Sequence, residues 1–163
     1  MKGIVAYDSV HGNTKQVAEA IAEQIRSEGH QVELLSVKEG SGSAVVGDFM
    51  FIGSPTRAGR MTREAKGFVE NLKSDDWKDK PIVTFDTVGP LSKDPEKRNK
   101  TLKTIEDGST NAASKMRELL RERGLSPHPK ALHIAVTGMW GPLAPDALDM
   151  AKDFTHQFLA AMK

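Results

Sequence analysis

Five short apolar runs rich in β-branched residues, GIVAY (3–7), QVELLSV (31–37), DFMFIG (48–53), PIVTFD (81–86) and ALHIAV (131–136), recur along the chain, most of them separated by stretches of helical periodicity. Several are continuous rather than alternating, as in strands covered on both faces. The spacing predicts a first helix over residues 13–28, with Val17, Ile21 and Ile25 on one stripe, Ala18 and Ala22 beside it, and Gly29 as its stop. A second is predicted from Thr62 toward Lys73, with Phe68 and Val69 inward, and a third over 110–123, closed by Gly124. The last covers 145–161, with proline in its first turn and Leu148, Ala151, Phe154 and Phe158 as its core stripe. Strands two and three are joined by KEGSGSAVVG, which leaves room for at most one helical turn. Strands that alternate with helices demand right-handed crossovers and hence a parallel sheet, a doubly wound α/β fold. A length of 163 residues without repeats or linkers fits one domain, 1–163, able to bury its own core.

Composition narrows the chemistry. The absence of cysteine excludes disulfides, thiolate nucleophiles and cysteine-held iron-sulfur clusters, so redox work would need a bound organic cofactor. His11, His30, His128, His133 and His156 lack metal-ligand spacing, and the last four read as surface or core histidines. A formal net charge of +1 gives no reason to expect a nucleic-acid partner. No apolar stretch approaches a membrane span, and MKGIVAYD turns polar too early for a secretory signal. The expected location is the cytoplasm.

Ligands of doubly wound sheets bind beyond the carboxyl ends of the strands. The informative loops therefore follow Tyr7, Gly53, Asp86 and Val136. The first, DSVHGNTK, opens helix one: its backbone N–H groups can form an anion nest, to which Ser9, Asn13 and Thr14 add neutral donors. A phosphate monoester suits such a loop. Neither G-x-x-x-x-G-K-S/T nor G-x-G-x-x-G is present, so neither triphosphate hydrolysis nor dinucleotide binding at this turn is supported. The loop after strand three, GSPTRAGRMT, combines a stiffening Pro55, a permissive Gly59 and the hydroxyls of Ser54 and Thr56, a set able to read a planar heterocycle.

S-x-H-G-N-T after a first strand resembles the phosphate loop of the flavodoxin-like family, usually hydroxyl-x-Thr-Gly-x-Thr. The resemblance covers nearly the whole chain and implies a three-layer sandwich with strand order 2-1-3-4-5 and an uninterrupted fifth strand, the short-chain type. It further implies FMN as cofactor. Ser9, His11, Gly12, Asn13 and Thr14 would hold its 5′-phosphate, with His11 in place of a threonine. Ser54, Pro55, Thr56, Arg57, Ala58 and Gly59 would meet the ring from one loop, and Thr87 and Gly89 from the next. Flavodoxins commonly sandwich the ring between a tryptophan and a tyrosine on these two loops, and here neither loop has an aromatic. Met61 and Trp140 are the nearest substitutes, whereas Trp77 is assigned to packing.

Two functions compete on this scaffold. An electron carrier working with redox partner proteins is favoured by the short-chain architecture and by the lack of an evident acid, base or nucleophile. The alternative is an FMN-dependent NAD(P)H:quinone oxidoreductase, favoured by the similarity of SPTR…G to a loop of such reductases and by the basic insert at 90–108. That insert contains Asp94 and Pro95 as a short-helix start and could form a lid or a docking surface. A receiver domain would need paired acids after strand one and an aspartate closing strand three, where Gly53 and Ser54 stand. Arg57 and Arg60 are expected near the ring. A cation about 4 Å from reduced flavin contributes on the order of 1 kcal/mol in watery surroundings, which raises its potential by tens of millivolts.

Overall fold

A computed structural model describes residues 1–162. In chain order the elements are β1 (Lys2–Tyr7), α1 (Asn13–Ser27), β2 (Gln31–Ser36), a 3-10 turn (Gly42–Ala44), β3 (Phe49–Pro55), α2 (Arg63–Glu70), α3 (Ser74–Trp77), β4 (Ile82–Val88), α4 (Pro95–Asp107), α5 (Ala112–Glu122), β5 (Leu132–Ala135) and α6 (Ala147–Ala161). All five strands are parallel, in the order β2-β1-β3-β4-β5. The expected doubly wound sheet is the one observed.

Burial explains the continuous apolar runs. Every residue of β4 is buried and only the last of β3 is not, while no residue of edge strand β2 is fully buried, Gln31 and Glu33 being exposed and the rest half-buried. One face of the sheet is covered by α1 and α6, where Phe158 packs against Phe49 and Phe51 at ring-centroid distances of 5.6 and 5.2 Å. The opposite face carries Phe68, Val69, Met116 and Leu120 of α2 and α5, with Trp77 fully buried at its base and donating through Nε1 to the Val45 carbonyl. Helix α4 packs against β5 at the sheet edge.

Capping sets the helix starts. Thr62, Asp94 and Asn111 each accept, through a side-chain oxygen, the N–H of the residue three positions on. The helix in the basic insert is longer than expected, because Asp94 caps it, Pro95 opens it and Leu102 and Ile105 anchor it in the core. Strand four runs two residues beyond Asp86, so Thr87 lies inside the sheet. Leu148 leaves the expected core stripe and is exposed: the face of α6 turned inward carries Ala147, Ala151, Thr155 and Phe158, and Leu148 lies about 100° away from Ala147.

Candidate functional site

Loops following β1, β3, β4 and β5 enclose a cavity of about 290 Å³ at the carboxyl end of the sheet. Nine of the sequence-predicted residues line it: His11, Asn13, Thr14, Pro55, Thr56, Arg57, Ala58, Thr87 and Gly89. The other four shape it from behind. Ser9 Oγ accepts from Gly12 N at 3.1 Å and Lys15 N at 3.3 Å, which curls the first loop. Gly12 supplies the left-handed N-cap of α1 at φ 90°, a conformation that L side chains rarely adopt. Fully buried Ser54 accepts from Thr62 N at 3.0 Å, and Gly59 sits at the tip of the third-strand turn.

The start of α1 is suited to an anion. No acidic residue occupies its first turn, and the backbone N–H groups of Val10, His11, Asn13 and Thr14 have no hydrogen-bond partner among the described residues. Such uncommitted donors, together with the positive end of the helix dipole, favour a bound negative group. Thr14 Oγ1 and Thr87 Oγ1 lie 2.9 Å apart and tie this loop to the end of β4. Asn13 Nδ2 donates to the Trp140 carbonyl at 3.1 Å and ties it to the loop after β5.

The second wall is a tight turn. Arg57 and Arg60 exchange backbone hydrogen bonds at 2.9 and 3.1 Å, with Ala58 and Gly59 between them at φ 52° and 78°. Two successive positive φ values define a type I′ turn. Arg57 lines the cavity, whereas Arg60 and Met61 line a separate groove between α2 and α5. Neither guanidinium has a carboxylate partner among the described residues. Of the two candidate ring neighbours, Trp140 therefore stands at the cavity and Met61 does not. Trp140 and Met139 are 67% and 75% exposed on its rim, and the Trp140 ring lies 5.9 Å from that of His11.

Gly89 closes the third wall. A Cβ there would approach the Val136 carbonyl oxygen to 2.4 Å, so only glycine allows strands four and five to deliver their loops so close together. The backbone bond from Leu91 N to Val136 O, 2.8 Å, holds the same junction.

Several supporting residues were not singled out from the sequence. Asp8, 1% exposed, accepts from the Thr62 hydroxyl at 2.5 Å, and its other oxygen lies 3.3 Å from Lys38 Nζ, an ion pair whose alignment falls short of a hydrogen bond. Asp86 Oδ2 accepts from Thr56 Oγ1 at 3.1 Å and from Ala113 N at 3.0 Å. His133 bridges Asp86 Oδ1 at 2.7 Å and Glu106 Oε2 at 2.5 Å. Burial alone would lower the pKa of His133, but the hydrogen bonds and charges of Asp86 and Glu106 outweigh it and the net shift is upward. A signal for this cluster existed: an aspartate and a histidine inside otherwise apolar strands require buried partners.

The chain belongs to the flavodoxin domain family, which it matches over residues 4–162. A flavodoxin of Aquifex aeolicus (strain VF5) is 40% identical over 78 residues, a match spanning 47% of this chain and 42% of that protein. Among solved structures, a flavodoxin from the domain Archaea is similar with a TM-score of 0.75 at 23% identity, covering 99% of this chain and 98% of that one. Oxidised flavodoxin 1 from Bacillus cereus follows at 0.72 and 20%, covering 98% of each chain. The rubredoxin oxygen:oxidoreductase of Desulfovibrio gigas gives 0.71 at 19%, covering 98% of this chain and 35% of that one. At these identities the solved structures speak for the fold. No helix among the described residues is long and apolar enough to cross a membrane.

Proposed function

We propose that this protein binds FMN in the cavity at the carboxyl end of the sheet and carries electrons between redox partner proteins. The observation that supports this most is the pairing of an unpartnered N–H cluster at the start of α1 with a cavity walled by three further strand-end loops. Val10, His11, Asn13 and Thr14 would hold the phosphate through backbone N–H groups. Pro55 to Ala58 would face the ring on one side, Thr87 and Gly89 would approach its edge, and Trp140 would cover part of it from the fifth-strand loop. The bound flavin supplies reversible electron chemistry that no side chain of this cysteine-free protein can provide.

A carrier is favoured over a reductase by the character of the lining. Among the described residues no carboxylate, lysine or tyrosine lines the cavity, and the two ionisable side chains that do, His11 and Arg57, are exposed at the rim. Exposed Met139 and Trp140 leave the cavity edge open to another protein. Two measurements on purified protein test this reading. Denaturant should release FMN, identified by mass. Anaerobic NADH or NADPH should leave the flavin oxidised, while a stepwise chemical reductant should take it down in two separate one-electron waves. Rapid bleaching by either nicotinamide would favour the FMN-dependent quinone reductase instead.

A further inference from the structure

The buried cluster behind the cavity wall has no role in the binding scheme so far. Asp86 is fully buried on β4, next to edge strand β5, and His133 beside it is 6% exposed. The parallel register sets the two directly opposite each other on neighbouring strands. Both imidazole nitrogens face carboxylate oxygens, at 2.7 and 2.5 Å. Carboxylate and ring nitrogen attract at these distances only with a proton between them. Two contacts thus require two protons, one more than a neutral imidazole and two carboxylates possess. The remaining charged group is Arg117 of α5, whose Nη1 lies 3.6 Å from Glu106 Oε1 and donates to the Pro129 carbonyl at 2.7 Å. Among the described residues, Asp86 on β4, Glu106 on α4 and Arg117 on α5 are the charged groups that the packed elements turn toward this cluster.

The far oxygen of Asp86 connects the cluster to the cavity. It accepts from the hydroxyl of Thr56, a lining residue, and from Ala113 N in the first turn of α5; Thr56 Oγ1 in turn accepts from Ala112 N at 3.0 Å. An imidazolium opposite Asp86 keeps the carboxylate charged and fixed. A neutral ring donates a weaker hydrogen bond and leaves a buried anion poorly compensated, which favours rearrangement of its contacts.

We propose that His133 is a positioning residue whose extra proton, held between Asp86 and Glu106, fixes Thr56 and thereby the ring-facing wall of the cavity. The proposal rests on the FMN reading. Its consequence is that FMN affinity follows the protonation of a residue that does not line the cavity. The upward shift of the His133 pKa agrees with the geometry.

The test pairs ring-nitrogen NMR of labelled histidine with FMN titration of the full chain across pH, for the parent protein and for His133→Gln and Glu106→Gln. Expected for the parent are two protonated ring nitrogens on His133 at neutral pH, and an FMN affinity that falls about tenfold as that proton is lost, the scale of one hydrogen bond to a charged group. Glu106→Gln keeps the affinity at low pH but moves the NMR titration and the affinity step to lower pH together. His133→Gln binds weakly throughout, with no step. A neutral His133 at pH 7, or an affinity profile that stays in place when the Glu106→Gln titration moves, would overturn the proposal. If FMN binds at no pH, the cofactor reading fails instead. The clamp is then read from amide exchange: faster exchange of Ala112 and Ala113 in His133→Gln than in the parent supports it, and unchanged exchange overturns it.

Discussion

Gly89 shows how a single residue can matter through what it lacks. Any side chain there meets the Val136 carbonyl oxygen at 2.4 Å, and backbone must shift to relieve the contact. Gly89→Ala is expected to lose about 1–3 kcal/mol of stability and to bind FMN more weakly, as read by urea unfolding and fluorescence titration. Gly12 is the contrasting case, because space around it is open and only its φ of 90° resists a side chain. The two arginines differ in the same way. Because Arg57 lines the cavity and Arg60 the α2–α5 groove, Arg57→Ala is expected to lower the flavin potential by tens of millivolts, and Arg60→Ala by distinctly less. Redox titration of both variants checks this, and equal shifts would contradict the assignment. From the sequence the arginines looked alike, since the course of the loop between them includes positive φ at both Ala58 and Gly59, and alanine does not announce that conformation.

At the scale of elements, periodicity and caps carried the most information. The stripe of α1, the Thr62 cap of α2 and the proline-opened helix of the insert follow from local patterns, which act through neighbours in sequence. The Asp86–His133–Glu106 cluster was not legible as a unit, because its members meet only through strand register and the packing of α4 on β5. Its stability effect has a defined sign. A folded-state pKa raised above the ordinary value near 6.5 means that the contribution is fully present below that value and is lost as pH rises through the raised one. Urea midpoints from roughly pH 6 to 9 should therefore decline in the parent protein by more than in His133→Gln. Helix α6 offers an independent check. Phe158→Ala removes a ring packed on Phe49 and Phe51 and should cost about 3–5 kcal/mol in the same assay.

On the scale of the molecule, the five apolar runs and their helical spacers made the doubly wound sheet readable, and this fold places four strand-end loops at one edge. Nine of the thirteen expected residues converge there because the topology, rather than any single motif, brings them together. The share of each loop in the cavity was less readable: Trp140 enters from the fifth-strand loop, whose course depends on a long-range bond from Asn13 and on a local one between Thr137 and Pro142. The central claim is that the start of α1 grips a phosphate while the remaining loops hold the ring. Comparing FMN with riboflavin, the same ring without the phosphate, by fluorescence titration tests it most directly. The account predicts that FMN binds at least about a hundredfold more tightly, the worth of two hydrogen bonds to a charged group. Equal affinities, or no binding of either flavin, would contradict it.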